Sequence, residues 1–464
     1  MLSLVAAVAV CAVLASPEPA VADAADTPRA LLIAPPGLLP AATEYVRQRS
    51  QQDQSFSMSA VSLADALAQG HGRDDAEKLK NYLFQQWKQG VRSVLLVGDA
   101  DVLPVRYMVL DRVTPAAFDY AFYPSDLYYA DVARPDGSFD DWNASAQGFH
   151  AEYFGEVRGE KNKSDPINFD LVSYSPELSV GRWPVSTAEQ VRAIAAKSLA
   201  YESAARKSAI ELRAVGVVTG NWVDVRSRFD RMLTALPRGW AYERLYYRDG
   251  AWSGYAPEES RIVAELSTGA SLVVHAGHGD EHVWEGCLST RAVPDMTNDR
   301  FGGAIMVSAG CSTGRFAGCP PYEAYEDVSG AGHAGTNSGE VFSQPPPPPS
   351  CYTKGEFNHS GLGQELLRAE RGGAVVYIGC NTGSQPCGVT LVEEFVREMG
   401  RIQENEHPTL GDCWTAAVRN YLVLERVHDL KPDDGWYPPS VFYQPMKFMF
   451  FGDPTLPVAH AAAR

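Results

Sequence analysis

The sequence predicts an α/β protein, built as a three-layer α/β/α sandwich with mostly parallel sheets and two subdomains. Two observations lead to this prediction. Short apolar runs that end at glycine recur along the chain, which is typical of strands buried on both faces of a parallel sheet. Segments with helical periodicity lie between these runs, and alternating strands and helices imply helices on both sides of the sheet. The chain has 464 residues, of which 45% are hydrophobic, so it can bury a core of this kind.

In the first half of the chain, the clearest elements are two strands and two helices. The strands are residues 30–33 and 94–97, and the helices are residues 75–89 and 187–203. Asp74 or Asp75 and Thr187 stand at the helix starts, where their side-chain oxygens can accept hydrogen bonds from backbone N–H groups that have no partner within the helix.

The second half repeats the same alternation. In chain order we expect a strand at 214–218, a helix at 225–236, a strand at 243–247, a helix at 258–267, the two apolar runs that end at His278 and Cys311, a helix at 361–369, a strand at 374–378, and helices at 390–399 and 410–422.

The chain divides into a leader, two subdomains and an insertion. Residues 1–24 have the apolar stretch and the small-residue cleavage site of a secretory signal peptide. Residues 25–208 are expected to form an N-terminal α/β subdomain, and residues 209–464 a catalytic α/β subdomain. An irregular insertion at about 317–360 interrupts the second one and contains five consecutive prolines. It is either a lid over the site or a disordered surface loop.

Composition limits the partners and the location of the protein. A net charge of -17 argues against nucleic acid and anionic membranes as partners. After removal of the signal peptide no segment is apolar enough to span a membrane, so we expect a secreted or periplasmic protein. Seven cysteines then remain, which predicts three disulfides with Cys311 free, Cys319–Cys351 being one pair. Several reduced, buried thiols are the alternative.

Two apolar runs end in reactive side chains set among glycines. Residues 271–276 lead into Gly277-His278-Gly279, and residues 303–309 lead into Gly310-Cys311. Ligands bind at the carboxyl ends of parallel strands, so a nucleophilic thiol and a proton-transferring imidazole are expected there together. The amides of Gly279 and Cys311 could stabilise a developing oxyanion.

His278 is preferred over two neighbouring histidines as the acid/base. His275 still lies within the apolar run, so we expect it to pack or to form internal hydrogen bonds. His282 lies past the turn and is expected to be solvated or at the rim of the site.

These runs resemble the gingipain family of cysteine peptidases, as do further blocks in the family's order. The further blocks are LLVGDADVLP, SDLYYADV, PELSVGRWPV, LGQELLRAERGGAVVYIG and FFGDPTLPV. The resemblance implies a caspase-like fold and a secreted cysteine endopeptidase without a catalytic cofactor, acting on proteins or peptides. It also implies that Glu177 contacts His278 and that Trp284 lies near the specificity pocket.

A basic substrate residue before the cleaved bond, the P1 residue, is a further implication of the resemblance. Glu189 stands near the start of the helix where the Arg-cleaving members of the family carry an Asp, and it could pair with such a residue. Glu189 is equally well explained as a first-turn residue favoured by the helix dipole.

An acidic stretch after residue 125 offers oxygen ligands of the kind that calcium prefers. The aspartates are Asp126, Asp131, Asp136 and Asp140. The resemblance implies structural calcium, and a solvated acidic loop is the alternative.

Other functions stay open on the sequence alone. The family resemblance also covers transpeptidases of the sortase type in secretion systems, and a non-catalytic, calcium-binding exported protein would keep the fold. A zinc metallohydrolase would use His275, His278, Asp280 and His282, although their spacing fits no zinc motif. A serine hydrolase would use Ser312 in G-x-S-x-G, but that motif requires a helix immediately afterwards, and residues 315–321 favour none.

Overall fold

The structure is a computed structural model, and it describes most of the chain. The described residues are 29–53, 57–109, 122–142, 172–237, 239–250, 254–298, 301–317, 325–326, 332–333, 360–401, 408–430 and 437–460. The signal peptide predicted at 1–24 lies outside them, as does nearly all of the predicted insertion.

A ten-stranded sheet forms the centre of the molecule. Its strands are β1 (Arg29–Ala34), β2 (Ser57–Ser62), β3 (Val91–Val97), β6 (Ser179–Trp183), β7 (Arg213–Val218), β8 (Ala241–Tyr246), β9 (Leu272–Ala276), β13 (Ala304–Ser308), β16 (Ala374–Cys380) and β17 (Phe448–Phe451). Shorter strands form small ribbons: β4 (Tyr107–Val109) with β5 (Phe122–Pro124), β10 (Gly279–Asp280) with β11 (Val283–Trp284) and β12 (Leu288–Ser289), and β14 (Tyr325–Glu326) with β15 (Gly332–His333).

The strand order across the sheet is β2-β1-β3-β6-β17-β16-β13-β9-β7-β8. Five strands from β2 to β17 run parallel to one another, and so do the five from β16 to β8. The two groups meet at β16 and β17, which are antiparallel. The carboxyl ends of the two groups of strands therefore lie at opposite edges of the sheet.

Helices cover both faces. They are α1 (Leu39–Gln52), α2 (Leu63–Gln69), α3 (Asp75–Lys88), α4 (Leu127–Ala130), α5 (Ala188–Arg206), α6 (Arg226–Thr234), α7 (Glu259–Thr268), α8 (Leu362–Arg368), α9 (Gly388–Gly400), α10 (Leu410–Leu424) and α11 (Tyr437–Tyr443). Successive strand residues such as Leu95 and Leu96 point to opposite faces and belong to two separate buried clusters. Helices α1, α5, α7 and α8 pack on the Leu95 side, and α3, α9 and α10 on the other. The predicted α/β/α fold class is confirmed.

The capping residues act as expected. The side chain of Asp74 accepts a hydrogen bond from the Glu77 N–H, and Thr187 forms a reciprocal capping box with Gln190. These caps satisfy backbone N–H groups that the first helical turn leaves without partners.

Three other predictions can be compared with the structure. The predicted boundary near residue 208 falls between α5 and β7, but the sheet is continuous, and β17 from the second half pairs with β6 of the first. The prediction of three disulfides is wrong, because Cys287, Cys311, Cys380, Cys387 and Cys413 are all free thiols. The predicted pair of Cys319 and Cys351 lies outside the described residues. No helix in the described part of the chain is long and apolar enough to cross a membrane.

Candidate active site

The two predicted reactive residues follow neighbouring strands at the same register. His275 of β9 is paired with Ser308 of β13 in the parallel ladder, and the Ala309 N–H donates to the His275 carbonyl at 2.9 Å. His278 and Cys311 each stand three residues beyond this pair. The sheet therefore brings the imidazole and the thiol to one edge, on adjacent turns.

The thiol of Cys311 is held by the loop that follows β16. The Ser384 N–H donates to Cys311 Sγ at 3.3 Å, and Sγ lies 3.5 Å from the Ser384 carbonyl oxygen. The next residue, Ser312, has a left-handed backbone with φ of 55°, and its N–H donates to the Thr382 carbonyl. An N–H group directed at sulfur stabilises negative charge there, which is what a thiolate nucleophile requires.

The imidazole of His278 is exposed and is oriented by the backbone of the segment that follows the neighbouring strand, β7. Its Nε2 lies 2.8 Å from the carbonyl oxygen of Asn221, a residue with a left-handed φ of 62°. A carbonyl oxygen can only accept, so Nε2 carries the proton and Nδ1 is the basic nitrogen. No hydrogen bond joins the described side chains of Cys311 and His278. The thiol is held from the β16 side and the imidazole from the β7 side.

Gly279 packs directly against the turn that carries Cys311. A Cβ atom at this position would lie 2.5 Å from Thr313 Cγ2 and 3.0 Å from the Cys311 carbonyl oxygen. Only glycine allows the two turns to approach this closely. Gly279 itself pairs with Trp284 in the small ribbon of β10 and β11.

Trp284 lies beneath the site and not in it. Its side chain is fully buried, stacks on the His275 ring at 4.5 Å with an interplanar angle of 3°, and donates to the Tyr377 hydroxyl at 3.1 Å. The expectation that its indole lines the substrate pocket is not met, because the ribbon turns this side chain back into the core.

A cleft of about 440 Å³ opens beside His278. It is lined by Thr219, Gly220, Asn221, Pro257, His278, Glu285 and Gly286. Glu285 is exposed, and its N–H donates to the His278 carbonyl at 3.0 Å, which fixes its backbone beside that of His278. Sequence reasoning missed Asn221 and Glu285. The signal for Asn221 was its position at the carboxyl end of β7, the strand next to β9, where ligand-binding loops are expected.

Comparison with known proteins decides the family. The model of peptidase family C25 matches residues 23–459, which is nearly the whole chain. The chain belongs to peptidase family C25. It is therefore a cysteine endopeptidase that acts on protein or peptide substrates, and the family needs no catalytic cofactor.

Solved structures of similar fold agree with this family. The Arg-specific cysteine proteinase gingipain R has 15% identity and a TM-score of 0.59, with 93% of this chain and 78% of that chain covered. A complex of the pro- and mature domains of RgpB from Porphyromonas gingivalis has 15% identity and a TM-score of 0.56, with 93% and 79% covered. At this identity the likeness shows a common fold. No protein of curated function matches the chain at a significant level of sequence similarity.

Glu177, expected to contact His278, lies elsewhere along the same edge of the sheet. Its Oε2 accepts hydrogen bonds from the N–H groups of Val132 and Ala133 at 2.9 and 3.0 Å. It precedes β6, which is four strand positions from β9, roughly 19 Å at about 4.8 Å per strand. The carbonyl of Asn221 occupies the orienting position on His278 instead.

Glu189 lies at the opposite edge of the sheet. It begins α5, after the carboxyl end of β6, and β6 runs antiparallel to the strands that carry Cys311 and His278. Its side chain is 79% exposed and pairs with Arg192. The structure therefore gives Glu189 the helix-start role and separates it from the cleft.

The acidic stretch does not fit a calcium site in the described structure. Asp126 forms a bidentate ion pair with Arg182, both bonds being 2.7 Å. Asp136 accepts from the backbone and side chain of Ser138. Among the described residues, no group of three or more His, Cys, Asp or Glu side chains is placed to hold a metal ion.

A lysine supplies positive charge to the other two aspartates. Lys80 is fully buried, with Nζ 4.4 Å from the ring centre of Trp142, and its charge acts on Asp131 and Asp140. Burial raises the pKa of Asp131, and the charge of Lys80 opposes that rise. The charge of Lys80 thus partly offsets the cost of burying the Asp131 carboxylate.

The zinc and serine alternatives gain no support. The His275 ring is buried against Trp284 while His278 is exposed, so the two imidazoles do not converge. Residues 311–314 form a turn, and no helix follows Ser312 directly in the described residues up to 317. The nucleophile-elbow motif therefore lacks its required context.

Proposed function

We propose that this family C25 peptidase cleaves peptide bonds with Cys311 as the nucleophile and His278 as the general acid and base. The observation that carries the proposal is the register of β9 and β13, which places both residues three positions beyond one paired site. Family membership supports a cysteine nucleophile, and Cys311 is the one described cysteine whose side chain is not buried.

The steps follow from the hydrogen-bond partners. Nδ1 of His278 takes the thiol proton, and Cys311 Sγ attacks the peptide carbonyl carbon. The amides of Gly279 and Cys311 are proposed to stabilise the oxyanion. The imidazolium then returns its proton to the leaving amine, which gives a thioester. Water, activated by the same nitrogen, attacks the thioester, releases the acid product and restores the thiol.

Substitution of the two residues tests this mechanism on fluorogenic peptides under reducing conditions. Cys311→Ala should lower kcat by at least about 10⁴-fold, because it removes the covalent step. His278→Ala should lower kcat by about 10²–10⁴-fold, the range for loss of a general acid and base.

Glu177→Gln is the matched control, since the structure places this carboxylate away from His278, and it should keep wild-type kcat. Undiminished turnover by Cys311→Ala in folded protein would refute the mechanism. A large loss of kcat in Glu177→Gln would instead favour the contact between Glu177 and His278 that the sequence predicted.

For substrate choice, we propose a basic residue at P1, bound in the cleft beside His278. Glu285 places a carboxylate there, and gingipain R, of the same fold, is described as Arg-specific. Peptides with P1 Arg or Lys should be cleaved faster than those with P1 Leu, Asn or Asp. Glu285→Gln should lower kcat/KM for P1 Arg by about tenfold, a modest effect because the carboxylate is solvated, and should leave P1 Leu unchanged.

Glu189→Gln is the control at the opposite edge of the sheet. If Glu189→Gln reduced the preference for arginine and Glu285→Gln did not, the assignment of the cleft would be incorrect. Export through residues 1–24 stays part of the proposal on sequence grounds alone.

A further inference from the structure

A buried imidazole lies directly beneath the turns that carry His278 and Cys311. His275, on β9, has no solvent exposure, and its ring is stacked on the indole of Trp284. Its position inside a strand, with an aromatic partner in parallel contact, fixes the plane of the ring.

The glycines of both turns lie against this ring. A Cβ atom on Gly277 would lie 3.2 Å from His275 Nε2, and one on Gly310 would lie 3.2 Å from His275 Cε1. Gly277 immediately precedes His278, and Gly310 immediately precedes Cys311. The ring therefore borders the space that a side chain would need at the residue before each reactive one.

Hydrogen bonds extend this contact to both sides of Gly310. His275 Nδ1 lies 2.9 Å from Ser308 Oγ, and the same oxygen accepts from the Gly310 N–H at 3.1 Å. Thr313 Oγ1 donates to the Gly310 carbonyl at 3.1 Å. Both peptide groups of Gly310 are thus hydrogen-bonded. The N–H is linked to His275 through Ser308, and the carbonyl is bound by Thr313.

The position of the ring proton follows from the partners. Burial lowers the pKa of His275 to about 3, so the ring is neutral at physiological pH. Nε2 has no hydrogen-bond partner among the described residues. A buried N–H without a partner is rarer than a buried acceptor without one, so the proton lies on Nδ1 and is donated to Ser308. The two lone pairs of the Ser308 hydroxyl then receive His275 and Gly310. The O–H of Ser308 is donated to Thr313 Oγ1, 3.1 Å away, because the single hydroxyl proton of Thr313 goes to the Gly310 carbonyl.

We infer that His275 is a positioning residue: its ring borders the Gly277–His278 turn and, through Ser308, it holds the Gly310–Cys311 turn, so that the two turns keep the separation that the reaction needs. This inference rests on the proposed roles of Cys311 and His278. His275 acts through the two turns and does not touch the substrate, so its removal should affect the geometry of attack more than the binding of the peptide.

Three substitutions test the inference in the full chain. His275→Phe keeps a ring for Trp284 but removes the donor, and Ser308→Ala removes the acceptor. Each should lower kcat by about 10–100-fold, the cost of misplacing reacting groups by about 1 Å, with KM changed by less than about twofold. His275→Asn returns a donor near the position of Nδ1 and should recover part of the loss. Tyr201→Phe is the matched control, because it removes a partly buried hydrogen bond, to the Pro457 carbonyl, away from the site.

The outcomes separate this inference from the proposed function. If Cys311→Ala abolishes turnover while folded Ser308→Ala keeps wild-type kcat, the positioning role is overturned and the proposed mechanism stands. A rise in KM with unchanged kcat overturns it too. If His275→Phe fails to fold, Ser308→Ala alone decides. Loss of kcat in both variants, partial recovery in His275→Asn and no change in Tyr201→Phe would support it.

Discussion

At the scale of single residues, the imidazole of His278 is oriented by the carbonyl oxygen of Asn221, 2.8 Å from Nε2. A carbonyl fixes the tautomer as an acidic side chain would, but it brings no full negative charge to balance an imidazolium. The left-handed backbone of Asn221 aims this carbonyl at the ring. In the proposed mechanism, catalysis would therefore depend more on where the groups are held than on a buried countercharge.

A second single residue, the buried His275, makes the free energy of unfolding depend on pH in the acid range. Burial lowers its pKa to about 3 in the folded protein, against about 6.5 in an unfolded chain. Between these values the unfolded chain binds the proton and the folded protein does not. The contribution to the free energy of unfolding is therefore fully present above about pH 6.5 and is lost as the pH falls toward 3, with a slope of up to about 1.4 kcal/mol per pH unit.

Urea unfolding of the wild type and of His275→Phe between about pH 7 and pH 4 measures this effect. As the pH falls, the free energy of unfolding should decrease more steeply for the wild type than for the variant, whatever the difference between the two at neutral pH. Parallel curves over the whole range would show that His275 is not held neutral in the folded protein.

At the scale of elements, the placement of His278 and Cys311 at the ends of neighbouring strands could be predicted, because apolar strands ending in glycine are visible in the sequence. The helix caps at Asp74 and Thr187 could be predicted for a similar reason, since they depend on neighbouring residues alone. The position of Glu189 relative to Cys311 could not be predicted. The alternation of strands and helices indicates parallel pairing, but it does not show that β16 and β17 meet in antiparallel fashion. That one junction puts the start of α5 at the edge away from Cys311.

The positions of Glu177 and Trp284 differ from the predicted ones because they depend on backbone groups and on short strands that the sequence does not reveal. The carbonyl of Asn221 has no side-chain signature, so a resemblance suggested Glu177 in its place. Trp284 lies six residues after His278, and only the three short strands β10, β11 and β12 show that it turns back under β9. The side chain that shares the cleft with His278 is the next residue, Glu285.

At the scale of the whole molecule, the last strand along the chain lies in the middle of the sheet and joins its two halves. β17 pairs with β16 on one side and with β6 on the other. The segment after it is fixed by Arg49 of α1, which donates to Asp453 at 2.6 Å and to the side chain of Thr455 at 2.8 Å. Arg49 also pairs with Glu202 of α5, and all these groups are buried. A cluster of charges thus ties the end of the chain to two helices of its first half.

Asp453→Asn tests how much the molecule depends on this cluster. The substitution removes the charge that faces Arg49 and leaves a buried guanidinium with one carboxylate fewer, for which a loss of about 3–5 kcal/mol in the free energy of unfolding is expected. Asp429→Asn is the control, because it breaks an ion pair to Arg426 in which both side chains are more than half exposed, 77% and 66%. That pair should contribute less than about 1 kcal/mol. Urea unfolding in the presence of reductant measures both variants. A similar small loss in both would mean that β17 is held in the sheet by its strand pairing and apolar contacts, with no net contribution from the buried charges.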